Sequence, residues 1–364
     1  MQLFKFELYK IFKQKIIYVA FFLLILMSTG FTFYNASPLQ QKIYDQWEGP
    51  LTAEKVEKAN QANKKLIAHL EANENNPVVT ESDEIKLGLY EEIAMAQKIK
   101  QRFQERQQKL EQKNNSLAEK ESDMIDDIDF SHFSYYKGPM KDIDFVNFFA
   151  FGITAAMLLI GLAPIYSNEY SSGVDHYLLS SKKGRKALAW AKIGAVAVYT
   201  FLVVIAWELW NLFFNFLQYG NEGWHMPIQY DFDYFFSPYP LTMFEYHWVQ
   251  FGIHLLGAFA FALLIVLTSS LCKNVLITFF INGFVFTVPL IMYEMIRVDW
   301  LRAVLTFSFI YVMKVWYLFD EFSTVNLFGY PMLYPVFAVI VMMGLSILFV
   351  SITLCVMSRK EVTS

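Results

Sequence analysis

Cysteine is nearly absent: Cys272 and Cys355 are the 2 in 364 residues. Both fall in or beside apolar runs, which argues against a disulfide framework and gives them a packing role. A Gly-x-x-x-x-Gly-Lys-Ser/Thr loop is also missing, so the chain has no phosphate cradle of its own for a nucleotide. The histidines (His69, His132, His176, His225, His247 and His254) show no His-Glu-x-x-His spacing, and no Gly-x-Ser-x-Gly turn occurs. Zinc-protease and serine-hydrolase chemistry therefore lack their residues. No soluble basic domain is present, and nucleic acid is not an expected partner. Charged residues make up 18% of the chain and hydrophobic ones 55%, whereas soluble domains average about 25% and about 45–50%. Aromatics are abundant, with 36 Phe and 21 Tyr, as suits bilayer interfaces and packed helix surfaces.

The apolar residues are gathered into runs. A membrane span needs roughly 20 mostly apolar residues, and 6 stretches qualify: 16–34, 146–166, 187–214, 248–271, 275–296 and 334–357. A further run, 300–319, carries Arg302 and Lys314. It reads as re-entrant or interfacial; as a true span it would move the C-terminus across the membrane. Lys and Arg fix the orientation through the short loops. Lys5, Lys10, Lys13 and Lys15 precede the first span. Lys182, Lys183, Arg185, Lys186 and Lys192 lie between the second and third, Lys273 between the fourth and fifth, and Arg359 and Lys360 after the sixth. With 6 spans all of these share one side, which is then the cytoplasm, with both termini there. The loop 215–247 has no Lys or Arg but carries Glu222, Asp231, Asp233 and Glu245. Residues 1–15 read as an amphipathic interfacial helix, with Phe4, Leu8, Ile11 and Phe12 on one face and Glu7, Lys10, Lys13 and Gln14 opposite. The first apolar run is long for a signal peptide, and Asn35-Ala36-Ser37-Pro38 is a poor cleavage site.

Residues 36–144 are of different material, with 15 Lys and Arg against 21 Asp and Glu. Helices are expected over 51–72 and 82–125, broken at Asn73–Pro77, with Thr80 or Ser82 capping the second. Ile85, Leu89, Ile93, Ala96, Ile99, Phe103 and Leu110 recur at heptad-like spacing in that helix. The expectation is an extracytoplasmic helical hairpin between spans one and two; a loosely ordered polar spacer is the alternative. Asp123, Asp126, Asp127 and Asp129 lack the glycine and closing glutamate of an EF-hand loop and read as a solvated acidic turn. The fold class expected overall is an all-α membrane protein.

Between the second and third runs stands Glu169-Tyr-Ser-Ser-Gly173-Val-Asp-His-Tyr177-Leu178-Leu179-Ser180, followed by Arg185 and by Lys192 at the head of the next run. By its residues alone this is a short cytoplasmic helix, a turn and a basic anchor. It resembles the coupling region of ABC-2-type transporter permeases, in which Glu-x-x-x-Gly precedes Leu-Leu-Ser, a basic residue and a Lys entering the third span. Val174 stands where that family often has Thr, and Lys182 and Lys183 where it often has Pro. The helix plan of the chain outside the insert is similar to that family too. The resemblance implies a second permease subunit, in a homo- or heterodimer, and a separate cytoplasmic ABC ATPase subunit. No cofactor is then bound directly, and ATP and Mg act through the partner. Glu169, Gly173, Tyr177, Leu178 and Leu179 would form the coupling surface, and a bacterial plasma membrane is the expected setting. Glu169 either pairs with a basic residue of the ATPase or is held by local Lys or Arg.

Ionisable residues inside spans are candidates for function. Glu208 and His254 are the candidate translocation path. Glu208 would face a substrate, pair with His254, or make an interhelical hydrogen bond; Glu294 is expected near the outer end of its span. Asn282 and Gly283 are expected to serve packing, and Pro164 and Pro289 to kink their helices. The leading expectation is a permease exporting an amphipathic peptide, lipid or antibiotic, with membrane lipid around it. The alternative is a sensor or mechanotransmitter acting on a cell-envelope partner through the external helices. A membrane-embedded enzyme has no supporting residue set.

Overall fold

The computed structural model describes residues 2–32, 37–72, 79–113, 115–174 and 184–360. The chain is mostly helical, at 78%, with almost no sheet. It opens with α1 (Gln2–Phe12) and α2 (Lys15–Thr32), bent by 55° at the break between them. The polar insert holds α3 (Pro38–Asp45), α4 (Ala53–Ala72), α5 (Glu81–Glu111) and α6 (Ser116–Asp126). Then come α7 (Lys137–Ser171), α8 (Gly184–Tyr219), α9 (Met243–Leu271) and α10 (Val275–Met295). The short α11 (Asp299–Leu305) and α12 (Phe309–Lys314) precede the closing helix α13 (Tyr334–Arg359).

Five of these, α7, α8, α9, α10 and α13, are long and apolar enough to cross a membrane, and the α1–α2 pair makes a sixth if counted as one bent span. Burial divides them. The apolar windows of α7, α8 and α9 are 61%, 61% and 56% buried, whereas those of α10 and α13 are 17% and 11% buried. Helices apolar all round with so little covered need an apolar surrounding. The run 300–319 is too broken to span: α11 and α12 are single turns or little more, and residues 309–313 are all buried. Behind them lies a hairpin absent from the expectations, β3 (Thr324–Leu327) paired antiparallel with β4 (Tyr330–Leu333). Its two-residue turn, Phe328-Gly329, has both φ angles positive, at 52° and 92°, as a tight primed turn demands.

The insert is folded. Thr80 caps α5 in a capping box with Asp83. Of the seven heptad-like positions all but Ile85 are buried, and α4 packs against this helix through Val56 and Ala59. The expected break at Asn73–Pro77 lies outside the described residues. The single helix expected over 82–125 is two, because Asn115 restarts the chain as the N-cap of α6, its side chain accepting from Ala118 N at 2.8 Å. The arms of the insert meet where β1 (Gly49–Pro50) pairs with β2 (His132–Phe133). Next to that pair, Tyr44, Phe133, Tyr135, Tyr136 and Tyr230 form a chain of ring contacts at 5.2–6.3 Å between centroids. Tyr44 OH and Lys137 Nζ both donate to Glu92, at 2.9 and 2.5 Å. The insert is thus tied to the head of α7 and to the α8–α9 loop.

Candidate functional site

Pro164 organises one end of the bundle. It lacks the N–H that would continue the ladder, and the regular hydrogen bonding of α7 is interrupted at Ala163, which keeps helical φ and ψ of −52° and −39°. Ser269 of α9 fills the gap. Its Oγ accepts from Tyr166 N and Ser167 N at 3.0 and 3.2 Å and donates to Ala163 O at 2.8 Å. A side chain from a neighbouring helix thus stands inside the i→i−4 ladder.

Beyond this interruption, 164–171 carries Glu169 and ends in a Schellman cap. Val174 N donates to Glu169 O at 3.1 Å and Gly173 N to Tyr170 O at 3.3 Å, with Gly173 at φ +71°. The Glu-x-x-x-Gly spacing therefore has a backbone meaning: the carbonyl of Glu169 is the third from the helix end, and the glycine takes the left-handed turn that closes it.

The Glu169 side chain is 7% exposed and is held locally. Lys192 of α8, fully buried, donates to Glu169 Oε1 at 2.7 Å, to Glu7 Oε2 at 2.8 Å and to Ile165 O at 2.7 Å. All three ammonium protons are used. Lys10 of α1 pairs with Glu169 and, at 3.1 Å, with Glu7. Two lysines and two glutamates thus close a neutral cluster that joins α1, the end of α7 and the head of α8. Beside it runs a cleft of about 390 Å³ bordered by Lys13, Gln14, Asn168 and Val275. On the other side Lys360, just past α13, stacks on the Tyr170 ring at 3.3 Å and donates to Ser270 O at 3.1 Å.

Glu7 corrects an expectation. It was placed on the polar face of the first helix but is 2% exposed. It stands one turn before Ile11, about 40° away on the helix wheel, and so shares the buried face. A carboxylate between Phe4, Leu8 and Ile11 was the signal for it. Tyr177, Leu178 and Leu179 of the expected coupling surface lie outside the described residues.

The other candidates occupy the opposite end and the middle of the bundle. Glu208 is 3% exposed and makes an interhelical hydrogen bond with His247, Nε2 to Oε1 at 2.6 Å; of the alternatives the sequence left open this is the one found, and His254 is not its partner. His247 and His254 are seven residues apart, hence on one face of α9, and the sequence could not choose between them. Close by, Asn215 Nδ2 donates to Asp142 Oδ1 at 2.8 Å and Asn211 Nδ2 to Asp142 O at 3.2 Å. His254 is fully buried: Thr154 Oγ1 lies 3.0 Å from its Nε2, Met313 O lies 2.7 Å from Nδ1, and the Trp207 ring stands edge-on at 5.1 Å. The two members of the expected path are therefore set in separate polar contacts between helices. Asn282 ties α10 to α9 through Thr268 Oγ1 at 2.6 Å, while a side chain at Gly283 would meet nothing within 4 Å. The packing role expected of both positions holds for the asparagine. Glu294 is exposed at the end of α10.

Comparison with family models, with curated proteins and with solved structures gives no match.

Proposed function

We propose that this chain is the membrane-spanning subunit of an ATP-driven ABC-type complex, similar to the ABC-2 permeases, that exports an amphipathic peptide, lipid or antibiotic. The observation that carries the reading is the buried Lys10–Glu7–Lys192–Glu169 cluster. It contains Glu169, the first residue of the Glu169–Leu179 segment expected to meet the ATPase. A push on that segment reaches α1 and α8 through four charges, and α9 through Ser269. Packed helices and ion networks transmit displacement in this way because they rearrange between discrete states. Under this reading the basic end is cytoplasmic, the chain crosses a bacterial plasma membrane six times, and two permease chains pair. ATP and Mg act on the partner.

The test is affinity purification of the full chain from its native membrane, with Leu178→Asp/Leu179→Asp as the variant that leaves the charge cluster intact. A stoichiometric ATP-binding chain, lost in the variant while its unfolding temperature is unchanged, is the expected outcome. Its absence under conditions that keep other membrane complexes intact overturns the proposal.

A second reading has its own observation. The paired arms and the aromatic seam fasten the insert to α7 and the α8–α9 loop, which suits a mechanotransmitter moving an external partner. In a reconstituted complex, ATP-driven motion of the insert without movement of amphipathic substrate selects this reading over export.

A further inference from the structure

At the end of the bundle that bears the insert, three carboxylates meet. Asp144 lies near the head of α7, and Asp231 and Asp233 belong to the α8–α9 loop. One oxygen of each lies within 4.8 Å of the others. Such a cluster alone says little, but Asp231 adds an independent fact. It is 2% exposed, and its Oδ2 has no hydrogen-bond partner among the described residues. Its Oδ1 is used locally, accepting from Asp233 N at 3.0 Å. Asp233 Oδ2 is likewise buried without a partner. A buried carboxylate oxygen left unanswered is costly.

The nearby cations do not meet the need. Lys141 binds Asp144 Oδ2 at 3.1 Å, and Lys314 forms no ion pair within 4.0 Å with any of the three. Burial and the Asp144 charge raise both Asp231 and Asp233, the latter to about 6.

We propose that Asp144, Asp231 and Asp233 bind a calcium ion. Carboxylate oxygens are hard ligands and select hard cations over Zn²⁺ or Cu²⁺. Ca²⁺ accepts irregular shells of carboxylate oxygens, whereas Mg²⁺ demands near-octahedral geometry and gives up its water reluctantly. A largely buried site supplied by three carboxylates from two segments suits calcium, and water completes its shell. The ion would staple the head of α7 to the α8–α9 loop. The residues after α12 join the same site, because Trp316 Nε1 donates to Asp233 O at 2.9 Å. The inference does not depend on the ATPase reading.

The experiment uses the full chain in detergent micelles. Millimolar Ca²⁺ should raise the unfolding temperature by several degrees, and a chelator should reverse it. Mg²⁺ should give less, and Na⁺ at matched ionic strength nothing. Tb³⁺ should luminesce on tryptophan excitation, through Trp316, and Ca²⁺ should quench that signal by displacement. Asp231→Asn should lose both effects, whereas Asp127→Asn, in the exposed acidic turn, should keep them. If Asp231→Asn does not fold, Asp144→Asn takes its place. Absence of both effects in the wild type, an equal shift with Mg²⁺ or Na⁺, or an undiminished shift in the triad variant overturns the calcium site.

Discussion

Lys192 uses every donor it has on buried acceptors. Removing one partner of a buried ion pair leaves an uncompensated charge, at a cost of about 3–5 kcal/mol. Lys192→Met should destabilise the chain by that order, read as a fall in unfolding temperature followed by near-ultraviolet circular dichroism. Adding Glu7→Gln should restore part of the loss, because Lys10 and Glu169 then balance; no recovery would mean that Lys192 matters for its stem rather than its charge. Asp320, in the segment after α12, is raised from 3.8 to about 7 by burial and then by the Glu321 charge. The folded state holds this proton more tightly than the unfolded one. Its stabilising contribution is therefore complete below pH 3.8 and is lost as pH rises through about 7. Asp320→Asn should flatten the fall in unfolding temperature across that window, and an unchanged slope would assign the titration to another group. At this scale the sequence marked Glu169, Gly173, Glu208 and His254 as unusual, and Lys192 as a conspicuous basic residue. It did not mark partners, since Glu7, His247 and Asp142 become neighbours of these residues only when helices distant in the chain come together.

Single elements were more legible. The heptad-like positions of α5 are its buried face, and the interruption at Pro164 falls where proline requires it. The side chain that enters the ladder there was not visible, because Ser269 is one small residue in an apolar helix. Ser269→Ala should remove the acceptor of two backbone N–H groups, at roughly 1–3 kcal/mol. Ser270→Ala is the control, since Ser270 Oγ donates to Leu267 O within its own helix at 2.7 Å. Comparable thermal shifts in the two variants would show that the inserted hydroxyl does not hold the interrupted ladder. The run 300–319 shows why hydropathy alone misleads: Trp300 and Val304 in its first half are exposed, whereas residues 309–313 are buried, with Met313 O bonded to His254 of α9.

For the whole molecule, three buried helices carry the core and two apolar helices stand at the rim with most of their surface bare. Such a rim is stable only against lipid tails or the same surface of another chain, which agrees with the expected membrane setting and leaves room for a paired subunit. The insert, expected as a helical hairpin, is anchored at its base by β pairing, by rings and by the Lys137–Glu92 ion pair at 2.5 Å. Motion in the α8–α9 loop would pass directly into it.

The sequence by itself determined what depends on composition and local order: helices, their apolar runs, the charge of the loops, a cap at Thr80 or Ser82, and the lack of an ATPase loop in this chain. Those properties are carried by neighbouring residues and need no fold to be read. Only the tertiary structure decided which polar groups meet inside it. Rotation and register of packed helices set those contacts, and they are decided by the summed packing of many side chains rather than by any one segment. The charge cluster on α1, α7 and α8, the Glu208–His247 pair and the meeting of Asp144 with Asp231 and Asp233 all belong to that second kind.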